Sequence, residues 1–97
     1  MTTPDYSNRN VFITGGSSGI NFGIAKAFAQ AGARVAINGR DPAKLSSAVA
    51  ELREISPHAL GFAADVRDYA ALESALVEFS KNVGPIDLLI CGAAGNF

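Results

Sequence analysis

One cysteine and one histidine are all that the 97 residues hold of thiol and imidazole chemistry. A lone thiol, Cys91, closes no internal disulfide, and one Cys with one His falls short of any zinc-binding spacing, so no metal site is expected. An excess of one charge is missing too. Eight basic against nine acidic residues leave a net charge of −1, which offers nucleic acid no polycationic surface for phosphate neutralisation. Any anion this chain binds must be held locally. No apolar run approaches the ~18 residues of a membrane span, and the opening MTTPDYSNRN lacks the basic start and apolar core of a signal peptide. The expectation is a protein of a reducing, cytoplasmic compartment with neither membrane nor nucleic acid as partner.

What the chain does have is 48% hydrophobic residues, enough for one core, at a length that allows one domain at most. Short apolar runs stand at 10–14 (NVFIT), 33–39 (ARVAING), 59–65 (ALGFAAD) and 86–92 (IDLLICG). Each is too brief for a helix and is bounded by Gly, Pro, Asp or Asn, which predicts strands. Their continuous apolarity suggests parallel strands covered on both faces.

Segments of helical length lie between these runs. In the second segment Asp41 is placed to cap, Pro42 fits the first helical position, and Leu45, Val49, Leu52 and Ile55 recur at helical spacing. The third repeats the design, with Asp68 as cap and Leu72, Leu76, Phe79 and Val83 on one stripe before Gly84-Pro85 stops it. The first, from about 19 to 31, is apolar nearly throughout and predicts a helix buried centrally against the sheet, its Gly23 and alanines permitting close approach. Strand and helix thus alternate βαβαβαβ with short links. Right-handed crossovers then give an α/β, Rossmann-type doubly wound sheet of four parallel strands. In the order 3-2-1-4 its switch point falls between the first and fourth strands.

Directly behind the first strand comes TGGSSGINFG, at 14–23. Gly15, Gly16 and Gly19 let the chain turn tightly and bring N–H groups up to a pyrophosphate, while the helix starting near Gly19 points its positive end at the same charge. Ser17 and Ser18 add hydroxyl donors. A glycine-rich loop by itself is also the ordinary way to turn from strand to helix; its position after a buried strand and before an apolar helix favours the phosphate. The second strand end bears on which dinucleotide. NAD usually meets an acidic side chain there at its ribose 2′-hydroxyl, whereas here Gly39 holds that place and Arg40 follows, which suits a 2′-phosphate. NADPH (NADP) is the expected cofactor; the alternative for Arg40 is a solvated residue ahead of a helix.

TGGSSGI, NGRD, ADV and the small-residue CGAAG, in this order and spacing, resemble the N-terminal half of the short-chain dehydrogenase/reductase family over essentially the whole chain. ADVRD together with AAGNF is similar to the 2,4-dienoyl-CoA reductase branch and its enoyl-CoA reductase relatives. The resemblance implies an NADPH-dependent oxidoreductase that transfers hydride to an unsaturated acyl-CoA, a 2,4-dienoyl- or 2-enoyl-CoA. A generic dehydrogenase of ketoacyl, sugar or alcohol substrates and a non-catalytic nucleotide-binding fragment stand as alternatives. Cofactor contacts carry over to Gly15, Gly16, Ser17, Ser18, Gly19 and Ile20 of the loop, and to Arg40, Asp65, Val66, Ala93 and Gly95 at the later strand ends. In the family an aspartate at the position of Asp65 accepts from the adenine amino group, with Val66 against the ring. Asn96 matches an asparagine that, with a tyrosine elsewhere, hydrogen-bonds the thioester oxygen and stabilises dienolate charge; Phe97 and Arg67 match substrate-contacting positions.

Read as bare sequence, Asp65 is equally a turn or capping residue, Asn96 and Phe97 a loop leaving a strand, and Arg67 a surface charge. His58, after Pro57 in a polar turn, has nothing to pair with and is expected in solvent. The chain departs from the family pattern at Asn21, where a third glycine is usual, and at Cys91-Gly92, where two asparagines are. Cys91 then reads as a small core residue. The family's Tyr-x3-Lys pair is missing, because Tyr6 is followed four residues on by Asn10 and Tyr69 by Glu73. Residues 1–97 are therefore expected to be the N-terminal half of a single NAD(P)-binding domain. Its partners would be a small-molecule substrate of the acyl-CoA type, the C-terminal half of the same protein, to which the apolar edge of the last strand points, and further copies in a homo-oligomer.

Overall fold

Two apolar strands lie at the centre of the sheet. The computed structural model describes residues 5–17, 19–65 and 67–91. The expectations placed on Ser18, Val66, Ala93, Gly95, Asn96 and Phe97 lie outside the described residues. In chain order the elements are β1 (Asn10–Thr14), α1 (Gly19–Gln30), β2 (Arg34–Gly39), α2 (Pro42–Arg53), β3 (Leu60–Ala63), α3 (Tyr69–Asn82) and β4 (Leu88–Cys91). The strands form one parallel sheet in the order β3-β2-β1-β4, with Val11 opposite Val35 on one side and Leu88 on the other. This is the Rossmann-type α/β order the sequence predicts.

Alternation along the strands divides the core into two layers, because successive side chains point to opposite faces. Val11, Ile13, Val35 and Ile37 face α1 and α2, packing on Ala25, Ala29, Leu45, Val49 and Leu52. Phe12 and Ala36 face the other way, onto Ala75 and Phe79 of α3. Phe12 stacks on Phe62 with ring centroids 5.8 Å apart and meets Phe79 edge-on at 5.9 Å. Helix α2 begins where Asp41 Oδ1 accepts from the N–H groups of Ala43 (3.0 Å) and Lys44 (3.3 Å), with Pro42 behind it. Asp68 Oδ1 does the same for α3, accepting from Ala71 N–H at 3.1 Å. Each cap satisfies N–H groups that a helix start otherwise leaves orphaned.

Coverage is less even than the apolar runs suggest. β1 and β2 are buried almost throughout, but β3 is half-buried on alternate residues and exposed on the others, and β4 leaves Leu88 39% and Leu89 45% exposed. Both poorly covered strands are the sheet's edges. Helix α1 also corrects its expectation. Only Ala25 and Ala29 are fully buried, Ile20 is 84% exposed, and a side chain built on Gly23 would meet nothing within 4 Å. The helix packs on one face of the sheet, so Phe22, Ile24 and Phe28 are only half-buried against the core and Ile20 faces outward. Cys91 is exposed rather than a core residue, since it ends an edge strand.

The amino ends of the strands are latched by polar groups. Asn10 N–H donates to Asp87 Oδ2 at 2.8 Å, its Nδ2 donates to Pro85 O at 2.8 Å, and Arg34 Nε donates to its Oδ1 at 2.7 Å. No helix among the described residues is long and apolar enough to cross a membrane.

Candidate functional site

Parallel strands bring all their carboxyl ends to one edge of the sheet. Thr14 stands opposite Cys91 there, and Gly39 opposite Ala63. The chain leaves β1 through Gly15 with φ 65° and enters α1 at Gly19 with φ 64°, both in the left-handed region that residues with a Cβ adopt at a cost. Among the described residues, nothing lies within 4 Å of a Cβ built on Gly19, so Gly19 leaves the first turn of α1 open on that side. Ile20 borders it, largely exposed. An open space at a helix amino end, reached through two left-handed glycines, is a cradle for an anion.

The N–H groups of Gly15 and Gly16 are not turned toward that space. Gly15 N–H donates to Asn38 Oδ1 at 3.2 Å and Gly16 N–H to Asn38 O at 3.0 Å, so both tie the loop to β2. The amide of Asn38 also donates to Phe62 O (3.3 Å) and Ala64 O (2.7 Å), reaching across to β3. Asn38 is fully buried. The reading by apolar runs passes over it, although a lone amide inside VAING is itself a signal, since a buried amide must find partners.

Gly39 is pressed by the loop. A Cβ there would lie 2.5 Å from Ser17 Oγ and 3.0 Å from Ser17 Cβ, so no side chain fits at the end of β2 unless Ser17 moves. Arg40 follows, exposed, and Asp41 then caps α2. At the end of β3, Asp65 is gripped by Arg67. The guanidinium donates from Nε to both carboxylate oxygens (3.1 and 3.2 Å) and from Nη2 to Oδ2 (2.7 Å), and Arg67 N–H adds 2.9 Å to Oδ1. These side-chain bonds first, and the backbone bond next, hold the Asp65 carboxyl down at about 2, with the Arg40 charge contributing. The same pairing raises Arg67 above its usual range. Asp65 and Arg67 therefore form an ion pair at the end of β3, with the exposed Arg40 following the end of β2. Any new donor to Asp65 competes with Arg67.

Thr14 Oγ1 donates to Ile90 O at 3.4 Å, linking the ends of β1 and β4 where the amides of the family pattern are replaced by Cys91-Gly92. His58 is exposed before β3, at the opposite end of the sheet. Among the described residues no cluster of His, Cys, Asp or Glu could hold a metal. The shallow hollows beside α3, lined by Leu76, Val77, Ser80 and Lys81, lie away from the strand ends. The amino end of α1, the exposed Arg40 and the Asp65 carboxylate stand along this edge of the sheet, a set of groups that fits a dinucleotide.

The model of the family described as short chain dehydrogenase matches residues 9–96. The 2,3-dihydro-2,3-dihydroxybenzoate dehydrogenase of Bacillus subtilis is 36% identical over 90 residues, covering 93% of this chain and 34% of the relative. The peroxisomal 2,4-dienoyl-CoA reductase of Arabidopsis thaliana is 40% identical over 85 residues, covering 88% and 28%. Among solved structures, L-sorbose reductase from Gluconobacter frateurii, complexed with NADPH and L-sorbose, is similar with a TM-score of 0.89 and 29% identity over 98% of this chain and 36% of that one. The chain thus spans about a third of the length of the relatives it matches.

Proposed function

The chain belongs to the short chain dehydrogenase family, an oxidoreductase family, and on that premise we propose that it is the N-terminal, cofactor-holding part of an NADPH-dependent reductase of unsaturated acyl-CoA. The observation that carries the cofactor choice is the end of β2, where Ser17 closes the space beside Gly39 and Arg40 stands exposed next in line. An acidic side chain that would favour NAD enters position 39 only by displacing Ser17, and a guanidinium that can pair with a 2′-phosphate follows at Arg40. The neighbouring structure complexed with NADPH supports the same choice.

Bound NADPH supplies the hydride. The amino end of α1, with Ser17, would hold the pyrophosphate; Arg40 would hold the 2′-phosphate; Asp65 would accept from the adenine amino group in competition with Arg67. Asn96, matched by the AAGNF motif, donates to the thioester oxygen as negative charge develops on it, and Phe97 and Arg67 contact the acyl-CoA. The proton donor is assigned to a Tyr-x3-Lys pair in a C-terminal part, which would also cover β4. The whole protein is read as a cytoplasmic homo-oligomer.

Support for acyl-CoA as substrate comes from ADVRD, AAGNF and the dienoyl-CoA reductase relative. A second reading, a dehydrogenase of alcohol or sugar substrates, is favoured by the dihydroxybenzoate dehydrogenase and L-sorbose reductase at comparable similarity. A spectrophotometric assay of NADPH oxidation by the full-length protein decides between them. Turnover of 2,4-dienoyl- or 2-enoyl-CoA is expected. Reduction of ketones or sugars with no acyl-CoA turnover gives the second reading, and cofactor binding with no turnover of either makes the protein a nucleotide-binding module.

A further inference from the structure

We propose that Asn38 is a positioning residue for the cofactor: it locks the glycine loop and the end of β3 into one geometry and so sets dinucleotide affinity without touching the dinucleotide. This rests on the reading that these strand ends hold NADPH. Asn38 has no exposed surface, so no ligand reaches it. Its influence has to pass through its partners.

Those partners belong to two different parts of the site. On one side Oδ1 accepts from Gly15 N–H at 3.2 Å, and the main-chain oxygen of the same residue accepts from Gly16 N–H at 3.0 Å. On the other, Nδ2 donates to Phe62 O at 3.3 Å and to Ala64 O at 2.7 Å. The amide cannot be flipped, because the peptide N–H only donates and the two carbonyls only accept. Both amide hydrogens and one oxygen lone pair of the side chain are therefore committed.

Gly15 carries the left-handed φ of 65° that turns the loop in front of α1, and Ala64 immediately precedes Asp65. One buried amide thus joins the turn beneath the phosphate cradle to the strand end that carries the adenine-side carboxylate. Gly15 has no side chain of its own to hold that turn. Without Asn38 its N–H loses its partner, the loop gains freedom, and a ligand must order it again on binding.

The test uses the full-length protein with Asn38→Ala and Asn38→Ser. NADPH and NADH Kd are measured by calorimetry at a temperature where each variant is folded, and Gly15 amide hydrogen exchange is followed by NMR without cofactor. The expected result is a Kd for NADPH raised about ten- to hundredfold in Asn38→Ala, the scale of leaving a buried donor unpaired, with faster Gly15 exchange. Asn38→Ser, which restores one polar partner, loses less. A folded variant that melts lower but keeps the wild-type Kd overturns the proposal, since a purely structural role moves only stability. Should Asn38→Ala fail to fold, the same Kd criterion is applied to Asn38→Ser. Wild-type protein that binds neither NADPH nor NADH sinks the underlying cofactor reading instead. The clamp is then judged separately by Gly15 exchange, and rapid exchange in the wild type contradicts it.

Discussion

Ser17 Oγ stands 2.5 Å from the point where a side chain on Gly39 would begin. Loop and strand end are therefore coupled, and Gly39→Asp should fail to convert the full-length protein to NADH. The added carboxylate has to displace Ser17, an overpacking worth about 1–3 kcal/mol. NADPH affinity should fall and melting temperature drop, while Ser17→Gly combined with Gly39→Asp regains stability and gains NADH binding. Efficient NADH binding by Gly39→Asp alone would contradict the coupling.

The grip of Arg67 on Asp65 has a pH signature. The carboxyl is held at about 2 against ~3.9 for an unperturbed aspartate. A depressed folded value means that the pair's stabilisation is complete above pH ~4 and is lost as pH falls toward the folded value. Solvent exposure keeps that contribution small. Carboxyl NMR should follow Asp65 titrating near 2, and in Arg67→Ala the midpoint should climb toward the ordinary range. An unshifted midpoint in the wild type means that the pair does not form in solution.

Phe12 is fully buried between Phe62 and Phe79. Phe12→Ala should cost about 3–5 kcal/mol in denaturant unfolding. Because Phe12 points away from α1 and α2, NADPH Kd measured on the folded variant should stay near the wild-type value. A large rise in Kd would mean that the α3 layer shapes the site.

The branch assignment leans on Asn96. Asn96→Ala in the full-length protein should cut acyl-CoA turnover by ~10² or more, the scale of one lost oxyanion donor. NADPH affinity and melting temperature should hardly move. Turnover that survives, or that falls only in step with stability, makes Asn96 an ordinary loop residue.

Much of the scaffold is legible in the sequence because its signals are local. NVFIT and VAING are too short for helices and too apolar for the surface, and Asp41-Pro42 and Asp68 mark helix starts through bonds spanning two or three residues. Burial on each face is less legible. The composition of α1 says that it is apolar, not that one sheet face alone receives it. Asn38 escapes for a different reason: its partners lie 23, 24 and 26 residues away, and only the sheet order brings them together. Arg67 carries a substrate role by resemblance, while its two-residue separation from Asp65 is the local clue to the ion pair that the fold forms.

Arg40 gives the most direct measurement. Calorimetric Kd values for NADPH and NADH, taken on full-length wild type and Arg40→Ala, test whether this edge of the sheet selects the 2′-phosphate. The account predicts clearly tighter NADPH binding in the wild type. In Arg40→Ala it predicts a loss of roughly 1.5–3 kcal/mol for NADPH alone, the worth of a hydrogen bond to a charged group. Equal affinity of the wild type for both cofactors would contradict it.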